Sequence, residues 1–158
     1  GVIDAATAKG MPLMQAIVKE ALRLHPPVAV TTRMSQQPDE LCGYHIPAKT
    51  RLLIPMVSLC RHPDLWNRPD EFLPERFLPG STVDADRPDH PFKYMPFLAG
   101  PRACVGQAFA LLEATCILAT MLLKVDLEVE PGHPDVTGIT GNIINRPTPY
   151  LRMIVRLV

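Results

Sequence analysis

The sequence has 158 residues, 47% of them hydrophobic, so it is long and apolar enough for one folded domain and too apolar for a disordered chain. Lysine plus arginine and aspartate plus glutamate both number 16, and this zero formal charge argues against a nucleic-acid partner, which requires excess positive charge. No apolar run approaches the ~20 residues that cross a membrane.

Proline and cysteine usage restrict the architecture further. The 18 prolines cluster between Pro47 and Pro101, so this stretch is expected to consist mostly of turns and extended chain. The four cysteines form no Cys-x-x-Cys pair, which argues against a zinc or dithiol site and favours a reducing compartment. Because the first residue is Gly1 and not Met, we expect the N-terminal part of a longer protein to be absent.

The first predicted element is a helix from Pro12 to Leu24, in which apolar residues recur at helical spacing. The segments predicted to be extended after it are a strand from Val28 to Arg33, a hairpin around Gly43 and an edge strand from Arg51 to Leu59 that contains Pro55. From Arg61 to Pro96 the chain is predicted to be irregular, with a solvated loop at Ser81 to His90.

The longest predicted element is a helix from Val105 to Lys124, which is apolar on most sides and is therefore expected to be buried. Strand-like segments follow at Val125 to Val129, Gly138 to Ile144 and Leu151 to Val158. Two long helices with small sheets and an irregular segment between them predict an α+β arrangement.

The strongest chemical signal is the segment from Phe97 to Gly106, Phe-Leu-Ala-Gly-Pro-Arg-Ala-Cys-Val-Gly, which leads into the long helix. Unpaired N–H groups and the helix dipole favour the thiolate form of a Cys at a helix N-terminus, so Cys104 is a candidate ligand. Gly100 permits a tight turn, and Gly106 permits a flat ligand to approach closely. Arg102 can bind an anionic group, and Phe97 can keep water away from the sulfur.

The residues alone leave two other interpretations of Cys104 open. A free cysteine is most often a buried structural residue. A cysteine nucleophile is the other alternative, and it requires a histidine base close in space. None of the five histidines is placed in that role by a motif.

The pattern Phe97-x-x-Gly-x-Arg-x-Cys104-x-Gly106 resembles, at every defined position, the haem-binding signature of the cytochrome P450 family. Glu20-x-x-Arg23 resembles the Glu-x-x-Arg motif of that family, although by spacing alone it is only an i, i+3 ion pair. Pro74-Glu-Arg-Phe77 resembles the family's meander motif. The order and spacing of the three motifs agree with the family across nearly the whole chain.

The resemblance implies that residues 1–158 are the C-terminal portion of a single haem-thiolate monooxygenase domain, which is mainly α-helical when whole. Cys104 would bind the iron of haem b, and Glu20, Arg23 and Arg76 would form a buried charge network. The further cofactor-binding residues that the resemblance implies are Arg33, Pro96, Phe97, Gly100, Arg102, Val105 and Gly106. The implied substrate-pocket residues are Val28, Ala29, Val30, Thr140 and Gly141.

The implied reaction inserts one oxygen atom from O2 into a lipophilic substrate, with electrons from an NADPH-dependent reductase or a ferredoxin. The family's oxygen-activating helix has no counterpart in this sequence, so no catalytic residue is assigned and these 158 residues alone are expected to be inactive. Two alternatives remain: a haem-thiolate isomerase or dehydratase of the same fold, and a non-catalytic remnant that acts as a binding domain. The expected location is the cytoplasm or the cytoplasmic face of the endoplasmic reticulum membrane.

Overall fold

Four helices, two turns of 3-10 helix and eight short strands make up the regular structure of the described chain. The computed structural model describes residues 2–136, 138–140 and 144–158, with the backbone alone for 138–140. The helices are α1 (Ala5–Lys9), α2 (Pro12–Leu24), α3 (Met56–Cys60) and α4 (Gln107–Leu122), and the 3-10 turns are Pro74–Phe77 and Gly100–Arg102. The strands are β1 (Val30–Met34), β2 (Asp39–Leu41), β3 (Tyr44–Ile46), β4 (Arg51–Pro55), β5 (Val125–Val129), β6 (Gly138–Thr140), β7 (Arg146–Thr148) and β8 (Met153–Leu157).

Within these described residues, the strands pair antiparallel in four two-stranded sheets: β1 with β4, β2 with β3, β5 with β8, and β6 with β7. The turn between β2 and β3 places Cys42 and Gly43 at positive φ, as a two-residue hairpin requires. None of the helices in the described part of the chain is long and apolar enough to span a membrane.

Helix α2 begins and ends where the sequence predicts. Pro12 occupies the first turn, where the missing N–H costs little, and the helix ends at Leu24, two residues before Pro26. Its buried face includes the charged residues Glu20 and Arg23 beside apolar ones. Because α2 packs against α3, α4 and the 3-10 turn Pro74–Phe77, it lies at the centre of the molecule.

The edge strand predicted from Arg51 to Leu59 is wrong in its second half. Strand β4 ends at Pro55, which pairs with Val30 of β1. Proline has no N–H to continue the ladder, and the chain turns directly into α3. Helix α3 buries Met56 and Cys60 at its two ends.

The prediction of a buried helix from Val105 to Lys124 is also wrong in part. Helix α4 begins at Gln107, and its fully buried residues are Thr115 and Ala119. Phe109 and Ile117 are exposed. Helices α1 and α2 pack against one side of α4. The helix is therefore not buried on all sides, although its sequence is apolar on most of them.

Two short elements are not predicted by the sequence. Helix α1 is capped by Asp4, whose carboxylate accepts a hydrogen bond from the backbone N–H of Thr7 at 2.8 Å. Strand β7 pairs with β6, which is described over Gly138–Thr140, and residues 141–143 of the longer predicted segment lie outside the described residues.

Methionine truncation tests where the core lies. Met56 is 1% exposed, so Met56→Ala is expected to lower the free energy of unfolding by about 2–5 kcal/mol, because the deleted side chain leaves a cavity. Met34 is 51% exposed, and Met34→Ala is expected to change it by no more than about 0.5 kcal/mol. Urea unfolding of both variants measures the difference, and equal losses would contradict this placement of the core.

Candidate functional site

Cys104 lies in a tight loop before α4. Its backbone N–H donates a hydrogen bond to the carbonyl oxygen of Phe97 at 2.8 Å, which closes the loop. Inside the loop, Leu98 and Gly100 have positive φ angles of 64° and 68°. Glycine adopts such angles freely, whereas Leu98 is held there by its surroundings, so the backbone has one defined course. The loop presents an exposed Cys104 side chain.

Gly106 keeps the space beside the sulfur open. It is the N-cap residue of α4, so Cys104 precedes the helix by three residues and does not belong to its first turn. A Cβ atom at position 106 would lie 3.8 Å from Sγ of Cys104. Without that atom, a flat group bound to the sulfur can pass close over the backbone.

Cys104 also lines a cleft of about 290 Å³ between β1, α3 and the Cys104 loop. The other lining residues are nearly all apolar: Leu22, Pro27, Val28, Thr31, Met56, Pro96, Phe97 and Leu98. A single sulfur ligand in an apolar wall suits a large planar cofactor such as haem, which Cys thiolates ligate. The residues present therefore fit the predicted cofactor.

The two arginines predicted to bind anionic groups are both exposed. Arg33 donates through Nη1 to Oγ1 of Thr31 at 3.2 Å and to the carbonyl oxygen of Thr32 at 2.9 Å. Because Thr31 lines the cleft, the Arg33 guanidinium lies beside its rim. Arg102 ends the 3-10 turn two residues before Cys104. Both guanidiniums are accessible to an anionic group.

The predicted substrate-pocket residues differ in their placement. Val28 lines the cleft, whereas Val30 is exposed at the start of β1. The carbonyl oxygen of Ala29 accepts a hydrogen bond from the N–H of Val57 at 3.1 Å. Gly141 and the Thr140 side chain lie outside the described residues.

Asn145 was not singled out by the sequence, yet it reaches the same region. Its backbone N–H donates to the carbonyl oxygen of Pro27 at 2.7 Å, and its Nδ2 donates to that of Pro26 at 2.9 Å. The chain near β7 is thereby attached to the segment that enters the cleft at Val28. Side-chain to backbone contacts of this kind leave no periodic signal in a sequence.

Three of the predicted residues meet in one buried charge network, formed by Glu20, Arg23 and Arg76. Oε2 of Glu20 accepts from Nε of Arg23 at 2.7 Å, and Oε1 accepts from Nε of Arg76 at 3.2 Å. All three side chains are 0% exposed. Oε1 also accepts from the backbone N–H of Leu73 at 2.8 Å, so Glu20 binds α2 to the irregular segment.

The loop predicted to be solvated at Ser81 to His90 is partly buried. The carboxylate of Asp84 is 10% exposed and forms an ion pair with Nη1 of Arg76 at 2.8 Å. The sequence prediction missed this residue because four charges without an apolar period are typical of a solvated loop. An acidic residue eight positions after Arg76 was the available signal.

An aromatic cluster of Trp66, Phe77 and Tyr94 connects this network to the chain that precedes the Cys104 loop. The rings of Phe77 and Tyr94 are 4.9 Å apart, and the guanidinium of Arg23 lies 5.3 Å from the centre of the Trp66 ring. Tyr94 donates its hydroxyl to the carbonyl oxygen of Lys19 in α2 at 3.1 Å. Burial raises the pKa of Tyr94 above its usual value, and the nearby Cys60 and Glu20 add to the effect.

A larger cleft of about 400 Å³ lies between α1, α2 and α4. Its walls include Lys9, Lys19, Phe109 and Leu112, but no cysteine or histidine among the described lining residues. Size alone therefore does not identify the site. The smaller cleft is the candidate because Cys104, a possible iron ligand, lines it.

Comparisons with known proteins agree with the geometry. The family model described as Cytochrome P450 matches residues 2–153. Cytochrome P450 4c3 of Drosophila melanogaster is 36% identical over 143 residues, which cover 90% of this chain and 26% of that protein. Tabersonine 6,7-epoxidase isoform 1 of Catharanthus roseus is 36% identical over 150 residues, which cover 92% of this chain and 29% of that protein.

A solved structure described as retinoic acid bound cyanobacterial CYP120A1 matches with a TM-score of 0.87 at 30% sequence identity. The match covers 99% of this chain and 35% of that one. The chain therefore spans about a quarter to a third of the length of the proteins that it resembles.

Neutralising Glu20 is expected to be severe. Glu20→Gln leaves two buried guanidiniums with less countercharge and is expected to lower the free energy of unfolding by about 3–5 kcal/mol. Glu75 is an exposed carboxylate in the adjoining 3-10 turn, and Glu75→Gln is a matched control with an expected change within about 0.5 kcal/mol. Denaturant unfolding checks both values, and a mild effect of Glu20→Gln would argue against a buried network.

The raised pKa of Tyr94 predicts an alkaline effect on stability. Above pH 10.0, the usual tyrosine value, the unfolded chain loses the Tyr94 proton while the folded protein keeps it, so stability falls as pH rises. Tyr94→Phe should make this fall less steep, although at neutral pH it costs about 1 kcal/mol for the lost hydrogen bond. Tyr44→Phe, at a residue 74% exposed, should leave the unfolding profile unchanged between pH 7 and 11, as measured by urea titration.

Proposed function

The chain belongs to the cytochrome P450 family, and we propose that its protein is a monooxygenase that holds haem b through the Cys104 thiolate. The observation that carries the proposal is an exposed thiol, fixed by its loop, in the wall of an apolar cleft. When bound, a thiolate-ligated haem supplies the oxygen chemistry, because the thiolate donates electron density that favours cleavage of the O–O bond.

The residues of the chain orient and shield this cofactor. Gly106 leaves room beside the sulfur, and Phe97 lines the cleft next to Cys104, where it would shield the sulfur from water once haem is bound. Arg33 and Arg102 bind the two propionates, since their exposed guanidiniums match carboxylates in charge and geometry. Pro96, Gly100 and Val105 complete the loop around the ligand.

The proposed substrate is a lipophilic organic molecule. The cleft walls at Leu22, Val28 and Met56 are apolar, so they favour an apolar molecule over a charged one. The similar solved structure carries retinoic acid, and the relative from Catharanthus roseus is named as an epoxidase. Retinoic acid has a largely apolar skeleton, and an epoxidase inserts an oxygen atom, so both relatives support the proposal.

The reaction requires O2 and an electron donor. Inserting one oxygen atom and reducing the other to water consumes two electrons and two protons, which an NADPH-dependent reductase or a ferredoxin would supply. We propose that this activity belongs to the whole family domain, because the relatives are about three to four times as long as this chain. Four free cysteines are consistent with the proposed location in the cytoplasm or at the cytoplasmic face of the endoplasmic reticulum membrane.

The ligand assignment is tested by the reduced, CO-bound spectrum of the haem-loaded protein. Cys104→Ser is expected to abolish the red-shifted band of a thiolate-ligated haem. Cys42→Ser, Cys60→Ser and Cys116→Ser are matched controls and should retain it. Loss of the band in a control, with the band intact in Cys104→Ser, would assign the ligand elsewhere.

The reaction class is tested with the haem-loaded full-length protein, a panel of lipophilic substrates, a reductase and ¹⁸O2. A monooxygenase gives products that contain one ¹⁸O atom, and only when reduced donor is present. The isomerase or dehydratase alternative predicts a different result. In that case organic hydroperoxides are converted without O2 or electron donor, and no product forms from the lipophilic substrates when O2 and donor are supplied.

A further inference from the structure

The buried network has unbalanced charge when only Glu20, Arg23 and Arg76 are counted. One carboxylate faces two guanidiniums, so the three side chains carry a net charge of about +1 while being 0% exposed. A buried charge is strongly destabilising unless an opposite charge lies close to it. The three-residue network therefore needs a second carboxylate.

Asp84 supplies that carboxylate. Its Oδ1 and Oδ2 lie 2.8 and 3.0 Å from Nη1 of Arg76, and its side chain is 10% exposed. With Asp84 included, two carboxylates face two guanidiniums, and the buried cluster is neutral. Arg76 lies between the two carboxylates, with Nε on Glu20 and Nη1 on Asp84.

Asp84 is held in place by the neighbouring chain. The backbone N–H of Asn67 donates to its Oδ1 at 2.7 Å. The Asn67 side chain donates to the carbonyl oxygen of Val83 at 2.8 Å and accepts from Nε of Arg87 at 2.6 Å. These bonds fasten the loop to the segment that carries Trp66, so the position of Asp84 is defined on both sides.

Arg76 connects Asp84 with the chain that precedes Cys104 through the residue that follows Arg76. Phe77, the next residue, contacts the ring of Tyr94 at 4.9 Å. Tyr94 is hydrogen-bonded to α2 and lies two residues before Pro96, where the wall of the cleft begins. A shift of Arg76 would therefore move the chain that holds Cys104.

We propose that Asp84 is the charge-balancing fourth member of this network and a positioning residue for the Cys104 loop, acting through Arg76. The effect on Cys104 rests on the proposed haem function, whereas the charge balance does not. Two readouts keep these two parts distinguishable: the thiolate-type CO band and urea unfolding.

The first experiment compares Asp84→Asn, Asp84→Glu and the control Asp89→Asn in the holoprotein. Asp84→Asn keeps the shape and removes the charge, and it should speed haem loss and decay of the thiolate-type CO band by about tenfold or more. Asp84→Glu should recover most of this loss, and Asp89→Asn, at an exposed position of the same loop, should resemble the unchanged protein. Equal defects in the Asn and Glu variants, or no defect in Asn, would overturn the proposal.

The second experiment is a double-mutant cycle with Arg76→Gln, read by urea unfolding. Removing one charge of each sign restores neutrality, so the double variant should be at least about tenfold more stable, as a folding equilibrium constant, than additive single effects predict. If Asp84→Asn does not fold, recovery of folding in the double variant gives the same support. Additive effects, or a double variant that also fails to fold, would overturn the charge balance. If the protein without substitutions lacks the thiolate-type CO band, the proposed haem function is wrong, whereas the charge balance is not affected by that result.

Discussion

The guanidinium of Arg23 is fully buried, and each of its five N–H groups has an acceptor. Two donate to Glu20, and the others to the carbonyl oxygens of Cys60, Pro69 and Glu71. An arginine buried without these acceptors would cost several kcal/mol, so the proline-rich segment folds with its carbonyl groups directed at this one side chain. A stretch without regular secondary structure thereby acquires a single conformation.

The same two helices serve the charge network and the cleft. On α2, Glu20 and Arg23 face the network, while Leu22 lines the cleft. On α3, Met56 lines the cleft, and the carbonyl oxygen of Cys60 accepts from Arg23 at 2.7 Å. Because each helix is rigid, fixing its network end also fixes the apolar walls on its other side. Packed helices thus connect the charge network with the cleft that Cys104 lines, and the ion pairs need not contact a bound cofactor.

The sequence was most informative where chemistry is encoded locally. The bounds of α2 followed from helical spacing and prolines, and the α+β fold with small sheets and a Cys loop is confirmed by the family structures. Glu20, Arg23 and Arg76 were found by motif. Asp84 was not, because its role depends on a charge count that requires the folded arrangement. The partial burial of α4 was missed for a similar reason, since composition reports apolarity and not which faces have neighbours.

The position of Cys104 is determined by its loop more than by the helix that follows. The sulfur-bearing residue precedes α4 by three residues, and the field of a helix terminus falls off within its first turn. What holds the residue is the hydrogen bond to Phe97 and the positive φ angles at Leu98 and Gly100. A ligand held in this way loses little conformational freedom on binding iron, so more of the bond energy appears as affinity. Under the proposal above, the charge network stabilises the chain that leads into this loop and so acts on cofactor binding without contacting the sulfur.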